Sequence, residues 1–227
     1  MKTLALRPDP TGFPMIWVDS IGAWLHWLPV TKIQFEHFLC DAADRAFGIS
    51  WYEEILRLNP RVTPSKISQA NYWHALLTGI QPSEAQRFAF WCGDGYRLPT
   101  SEEWTEAYAA LAAMPVVDTS DLGDGDGRSS RITELLTNLE VSSEVAAEQM
   151  GYSRGLADQM LMRLGVLEWV SARGRWGGKG EPFPGFCGSL LTPEDDTPVI
   201  PLNPENERLP AFGFRLLFNE SEAGRRN

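Results

Sequence analysis

Cysteine is scarce in this sequence. Cys40, Cys92 and Cys187 are the only three, odd in number and far apart. That argues against a disulfide scaffold and suits a reducing cytoplasm. No apolar run approaches the roughly 20 residues needed to span a bilayer. The stretch Met1–Pro10 lacks the apolar core of a secretory signal. A cytoplasmic protein without membrane contact is expected. Positive charge is also short: 20 Lys and Arg against 30 Asp and Glu leave a net charge of −10. Such a balance repels polyanions, and the basic residues are scattered, the densest group being Arg173, Arg175 and Lys179. Nucleic acid is not the expected partner.

Apolar residues are present in the globular proportion, 43% of 227 residues, enough for a substantial core. Nine Trp suit a loop-rich fold, because one indole covers a large area while its N–H ties down a loop acceptor. Pro14–Val18 and Trp24–Leu28 read as strands joined by the turn-forming Asp19-Ser20-Ile21-Gly22, hence a hairpin. Thr31 and Gln34 form a capping box ahead of a helical pattern through Ile33, Phe35, Phe38, Leu39, Ala42 and Ala43. A second helix is predicted over Trp51–Leu58, stopped by Asn59-Pro60. A third opens at Pro82, with Ala85, Phe88, Ala89 and Cys92 on one face. Thr100 and Glu103 form a second capping box before a helix over 101–113 that buries Trp104, Ala107, Tyr108 and Leu111.

An acidic loop at 121–127 and two or three short helices between Arg131 and Leu164 follow. Residues 171–209 are rich in Gly and Pro with little periodicity. A stretch of that length inside a domain is functional or disordered, and Trp176, Phe183 and Phe186 favour an ordered, functional one. One strand is predicted over Phe212–Phe218, then a polar tail at 219–227.

Four segments, in order over residues 14–218, resemble the formylglycine-generating-enzyme (sulfatase-modifying factor) family. They are Pro29-Val30-Thr31-Lys32-Ile33-Gln34-Phe35-Glu36-His37-Phe38-Leu39; Glu84-Ala85 through Trp91-Cys92-Gly93 with Tyr96-Arg97-Leu98-Pro99-Thr100-Ser101-Glu102-Glu103-Trp104; Gly165-Val166-Leu167-Glu168-Trp169-Val170; and Gly213-Phe214-Arg215-Leu216. The resemblance implies an α+β, C-type-lectin-like domain over 1–218, with small antiparallel sheets, surrounding helices and much irregular loop. The acidic loop and a helical insertion would occupy about 118–164.

The oxidising members of that family hold copper on two cysteines shortly before the closing strand, since two soft thiolates suit Cu(I). Only Cys187 lies there, so the resemblance points to a catalytically degenerate member, a pseudoenzyme. His26, His37 and His74 have no metal-ligand spacing, so no metal site is expected from them. Asp124, Asp126 and Gly127 imitate part of an EF-hand, but Leu122 and Thr133 occupy its first and last ligand positions. The family allows calcium without identifying a site here, and no cofactor is expected.

The expected function is a protein- or ligand-recognition module. Related domains serve as variable proteins of diversity-generating retroelements and as recognition or adaptor parts of bacterial defence systems. The matching surface is 173–208, with Arg173, Arg175, Trp176, Phe183, Phe186, Asn203, Asn206 and Arg208 as partner-binding residues and a protein as the partner. One alternative is a metal-dependent oxidase acting on a Cys-containing peptide. A second is a DNA-binding regulator, because 143–164 resembles a helix-turn-helix with Arg154 opening its second helix. Glu144, Glu148 and Asp158 nevertheless outnumber Arg154 and Arg163 there.

Overall fold

The computed structural model describes residues 4–41, 48–68, 71–118, 130–150, 154–163, 165–171, 184–187, 208 and 210–223. The architecture is α+β. Strands β1 (Leu6–Pro8), β2 (Pro14–Val18) and β3 (Ala23–His26) form an antiparallel meander. The β1–β2 turn is tied by Asp9, whose Oδ1 accepts from Thr11 N at 2.8 Å, Thr11 Oγ1 at 2.7 Å and Phe13 N at 2.9 Å. The β2–β3 register pairs Ile16 with Leu25 and Val18 with Ala23, so alternation sends these four residues to one core. Met15, Trp17, Trp24 and His26 take the other face. Two short strands complete this five-stranded sheet in the order β1-β2-β3-β8-β4, with β4 at Tyr96–Arg97 and β8 at Leu217–Phe218.

Helix α1 (Lys32–Asp41) opens with the predicted capping box: Gln34 N donates to Thr31 Oγ1 at 3.3 Å and Thr31 N to Gln34 Oε1 at 2.8 Å. Phe35 and Phe38 on α1 meet Phe88 of α3 (Pro82–Cys92), and Phe88 meets Phe214, making an aromatic second core. Between them, α2 (Ile49–Leu58) ends at Asn59, whose side chain exchanges hydrogen bonds with the Thr78 backbone. Gly79 (φ +69°) lies against Leu58, where a Cβ would come within 2.9 Å of its side chain. Helix α4 (Ser101–Ala112) carries the second capping box and buries Trp104, Ala107 and Leu111. Tyr108 stacks on Trp104 and is only partly covered.

Where several short helices were expected, one long helix, α5 (Ser130–Met150), is followed by the four-residue α6 (Leu156–Gln159). No Gly or Pro interrupts 130–150, and Ile132, Leu135, Leu136 and Leu139 form an unbroken buried stripe. Of the segment 143–164 that resembles a helix-turn-helix, the first helix is the end of α5 and the described part of the second is α6. All four residues of α6 are buried, so α6 packs on the body and does not present an exposed recognition face.

The expected strand 212–218 is also divided. Residues Phe212–Gly213 form β7, parallel to the central β5 (Leu167–Ser171), whose other edge pairs antiparallel with β6 (Pro184–Cys187). The chain then crosses to β8 in the first sheet. In the crossing, Phe214 O accepts from Val30 N at 2.7 Å and Leu216 O from His26 N at 3.0 Å, so these carbonyls pair with the β3–α1 connection and β3. Gly213 permits the crossing because a Cβ there would lie 2.6 Å from Leu77 O. The start of the polar tail is packed: Asn219 N donates to Gly95 O, Trp24 Nε1 to Glu220, and Arg97 Nε to Glu222 at 3.0 Å.

Arg215, midway through the crossing, is fully buried with Glu168 of β5. Its Nε and Nη2 donate to the two carboxylate oxygens at 2.7 and 2.8 Å. Removing one partner strands a buried charge. Arg215→Met is therefore expected to cost about 3–5 kcal/mol, or roughly 6–20 °C in Tm. The double variant Arg215→Met with Glu168→Met should recover much of that loss. Urea denaturation of the three proteins measures this, and a single-variant loss below about 1 kcal/mol would contradict it.

Candidate functional site

Beside the Arg215–Glu168 pair, three further groupings of ionisable residues are each built by a different part of the fold. The first lies under the five-stranded sheet. Gln34, fixed by the α1 cap, donates through Nε2 to Asp9 Oδ2 at 2.9 Å, and His26 Nε2 lies 3.4 Å from the same oxygen. Neither imidazole nitrogen has a hydrogen-bond partner among the described residues. Burial lowers the His26 pKa from 6.5 to about 4; the Asp9 carboxylate opposes that shift and the Arg215 guanidinium adds to it. At neutral pH the ring is therefore uncharged and the contact with Asp9 is not an ion pair. Burial, with Asp9 as the lesser cause, pushes the Cys92 thiol well above the usual range. Cys92 thus stays a protonated core residue, the reverse of a reactive or metal-binding thiolate.

The second place is the junction of α2, α3 and the chain returning at Arg208. Glu84, in the first turn of α3, accepts from Gln81 N at 2.7 Å and from the Trp51 indole. It also receives Arg208 bidentately, from Nη1 at 2.7 Å and Nη2 at 2.6 Å. Arg208 donates further to Gly79 O at 2.9 Å, and its Nε lies 3.0 Å from Glu54. The side chain is only 11% exposed. The third is the fork of Arg97 onto Glu103, at 2.7 Å from both Nη atoms, with Glu222 on Nε. It joins β4, the α4 cap and the chain after β8.

Of the sequence-predicted partner-binding residues, Arg173, Arg175, Trp176, Phe183, Asn203 and Asn206 lie outside the described residues, as does the acidic loop 121–127. Phe186 is placed by its backbone opposite Trp169 in the β5–β6 ladder. Arg208 is drawn into the body by Glu84 and Glu54, which sequence reasoning did not single out; the available signal was a Glu three residues after Gln81, at a helix start. At the other end of this stretch, Ser171 N donates to Pro99 O at 2.8 Å, and Ser171 bridges Thr100. His37 and His74 are on the surface, apart from His26. Among the described residues no group of three His, Cys, Asp or Glu could hold a metal ion, and no helix is long and apolar enough to cross a membrane.

No protein-family model matches the sequence, and no curated protein matches it.

The buried imidazole gives the fold a pH dependence of defined sign. The unfolded chain takes up this proton below about pH 6.5 and the folded chain only near 4. Stability from this residue is complete above 6.5, falls as the pH drops from 6.5 to 4, and levels off below. The loss amounts to roughly 3 kcal/mol. Chemical denaturation at intervals across that window should show the slope in the wild type. His26→Gln should remove it, and an unchanged slope in that variant would exclude His26 as its source.

Proposed function

We propose that this chain is a non-catalytic protein-recognition module. In this reading it is a cytoplasmic, catalytically degenerate domain of the formylglycine-generating-enzyme type, with a C-type-lectin-like fold, presenting residues 173–208 to a protein partner. An adaptor of a bacterial defence system and a variable protein of a retroelement are the two settings that suit it.

One observation carries the reading: both ends of the stretch 172–207 are fastened to the body. Ser171 is held at Pro99 and Thr100, where β5 meets the α4 cap. Arg208 is clamped by Glu84, Glu54 and the Gly79 carbonyl. Within the stretch, β6 is also laddered to β5, so the segment is held to the body at both ends and at an inner strand, which suits a display segment mounted on a fixed base. The described carboxylates support a structural use of charge, since Glu84, Glu103, Asp158 and Glu168 each hold an arginine.

Arg208 therefore serves the proposed site by anchoring it. Affinity capture from the native cytoplasm, with mass spectrometry and elemental analysis of the same sample, tests the proposal. The wild type should retain a stoichiometric protein partner. Joint replacement of Arg173, Arg175 and Trp176 by Ala should weaken capture at least about tenfold without lowering Tm. Arg208→Gln should weaken capture and also lower Tm. Undiminished capture by the triple variant would reject the segment as the binding surface. Stoichiometric copper with turnover of a Cys-containing peptide would replace this function with the oxidase reading, and a salt-dependent complex with duplex DNA would replace it with the regulator.

A further inference from the structure

Helix α2 is held to the body by few buried side chains. Of its ten residues only Ile55 is fully buried, whereas α1, of the same length, buries Ile33, Gln34, Phe35 and Phe38. Trp51 and Leu58 are half-buried, Trp51 against Phe35 with ring centroids 6.5 Å apart and Leu58 against Gly79. No side chain caps the start of α2 at Gly48, and its first turn carries no acid. A helix of this length is marginal on its own in water, so α2 keeps its form only while it is docked.

Polar ties supply what apolar burial does not, and two of the three converge on one guanidinium. At the end of α2, Asn59 exchanges hydrogen bonds with the Thr78 backbone at 2.9 and 3.0 Å. In the middle, Glu54 meets Arg208 Nε at 3.0 Å. In the first turn, Trp51 donates to Glu84 Oε1, an oxygen that it shares with Arg208 Nη2. The Glu84 side chain is only 2% exposed, so its charge is stable there because Arg208 meets it. Release of Arg208 therefore weakens α2 at two points at once. Glu54 loses its cation, and the carboxylate that receives Trp51 becomes a buried charge without a counterion.

We infer that α2 opens from the body as one unit while the rest of the fold stays closed, and that Arg208 is the lock on this opening. Opening withdraws Trp51 and Ile55 and uncovers Phe35, a buried member of the aromatic core. Every contact involved lies within the described body, so the opening is independent of whether residues 173–208 meet a partner. The Arg97 fork supplies a control of the same chemistry. It binds Glu103 and Glu222, and no residue of α2 among the described residues. Contacts of that kind survive when α2 opens, so removing them raises the closed and opened states alike and leaves the equilibrium between them unchanged. Removing Arg208 raises the closed state above all.

Hydrogen exchange of the full chain, read by mass spectrometry under native conditions, measures the opening. In the wild type, α2 amides should exchange at least about tenfold faster than those of α4 after correction for intrinsic rates. Sub-denaturing urea should change the α2 rate little, because a local opening exposes little surface. Arg208→Gln should speed exchange in α2 at least about tenfold. Glu54→Gln, at a half-exposed residue and with the Arg208–Glu84 fork kept, should give a smaller rise of about threefold, and it serves if Arg208→Gln does not fold. Arg97→Gln should speed α4 and leave α2 unchanged. In the other direction, Trp51→Phe removes the indole N–H and should raise the initial rate of tryptic cleavage after Arg208, since trypsin needs that side chain free. Equal exchange of α2 and α4 in the wild type overturns the inference. So does an α2 rate indifferent to both Arg208→Gln and Glu54→Gln, or cleavage after Arg208 indifferent to Trp51→Phe. An Arg97→Gln protein whose α2 speeds up as much as that of Arg208→Gln also overturns it, because α2 would then report only global unfolding.

Discussion

A guanidinium and a carboxylate with no exposure to solvent are the constraint around which the rest of this fold is arranged. Burying either ion alone would cost several kcal/mol, so every donor and acceptor must be met in place. Arg215 meets both oxygens of Glu168, then donates to His26 O and Met160 O, each at 3.1 Å. Glu168 accepts in addition from the Trp104 indole at 3.1 Å. One ion pair thereby joins β3, α4, the turn after α6, β5 and the crossing between the two sheets. That turn includes Leu161, a buried non-glycine residue at φ 56°, a left-handed conformation costing roughly 1–2 kcal/mol. The Arg215 bond to the adjacent Met160 carbonyl helps hold it. The same cation disfavours a proton on His26, linking the ion pair to the state of the imidazole.

Glu84 repeats this logic nearer the surface. A single carboxylate caps α3, receives the Trp51 indole of α2 and clamps Arg208. Two helices and the returning chain therefore share one acceptor, and their relative positions are coupled through it. Arg97 performs a similar role with the charges exchanged: one guanidinium takes the capping residue of α4 and the Glu222 carboxylate. Each hub couples a local helix-start interaction to a partner more than 100 residues away, which is how short elements and long connections can be locked into one arrangement.

That division between local and distant partners also explains what could be read from the residues. Both capping boxes lie within three residues of sequence, so Thr31 with Gln34 and Thr100 with Glu103 announced α1 and α4. Apolar spacing gave the inner face of α3. The β2–β3 hairpin followed from two aromatic-rich runs and a turn. The division of 212–218 between two sheets was not legible, because an apolar run reads as one strand until its carbonyl partners are known, and those belong to Val30 and His26. The burial of His26 depends on Asp9, Gln34 and Arg215 from three other segments. Arg208 looked like a surface contact because its acceptors, Glu54 and Glu84, are remote in sequence. The length of α5 was not legible where two or three short helices were expected between Arg131 and Leu164; in the helix, Ser142 is buried and its hydroxyl bonds back to Asn138 O at 2.8 Å.

The base of the proposed recognition segment depends on α2. Glu54 of that helix meets Arg208 Nε, and Glu84, which takes the Arg208 fork, also accepts from the Trp51 indole of α2. Asn59, at the end of the helix, is tied to the Thr78 backbone beside Gly79, whose carbonyl accepts from Arg208. A change in the seat of α2 would therefore reach the anchor of the segment through three contacts. By the same linkage, a partner that fixes the segment would also fix α2.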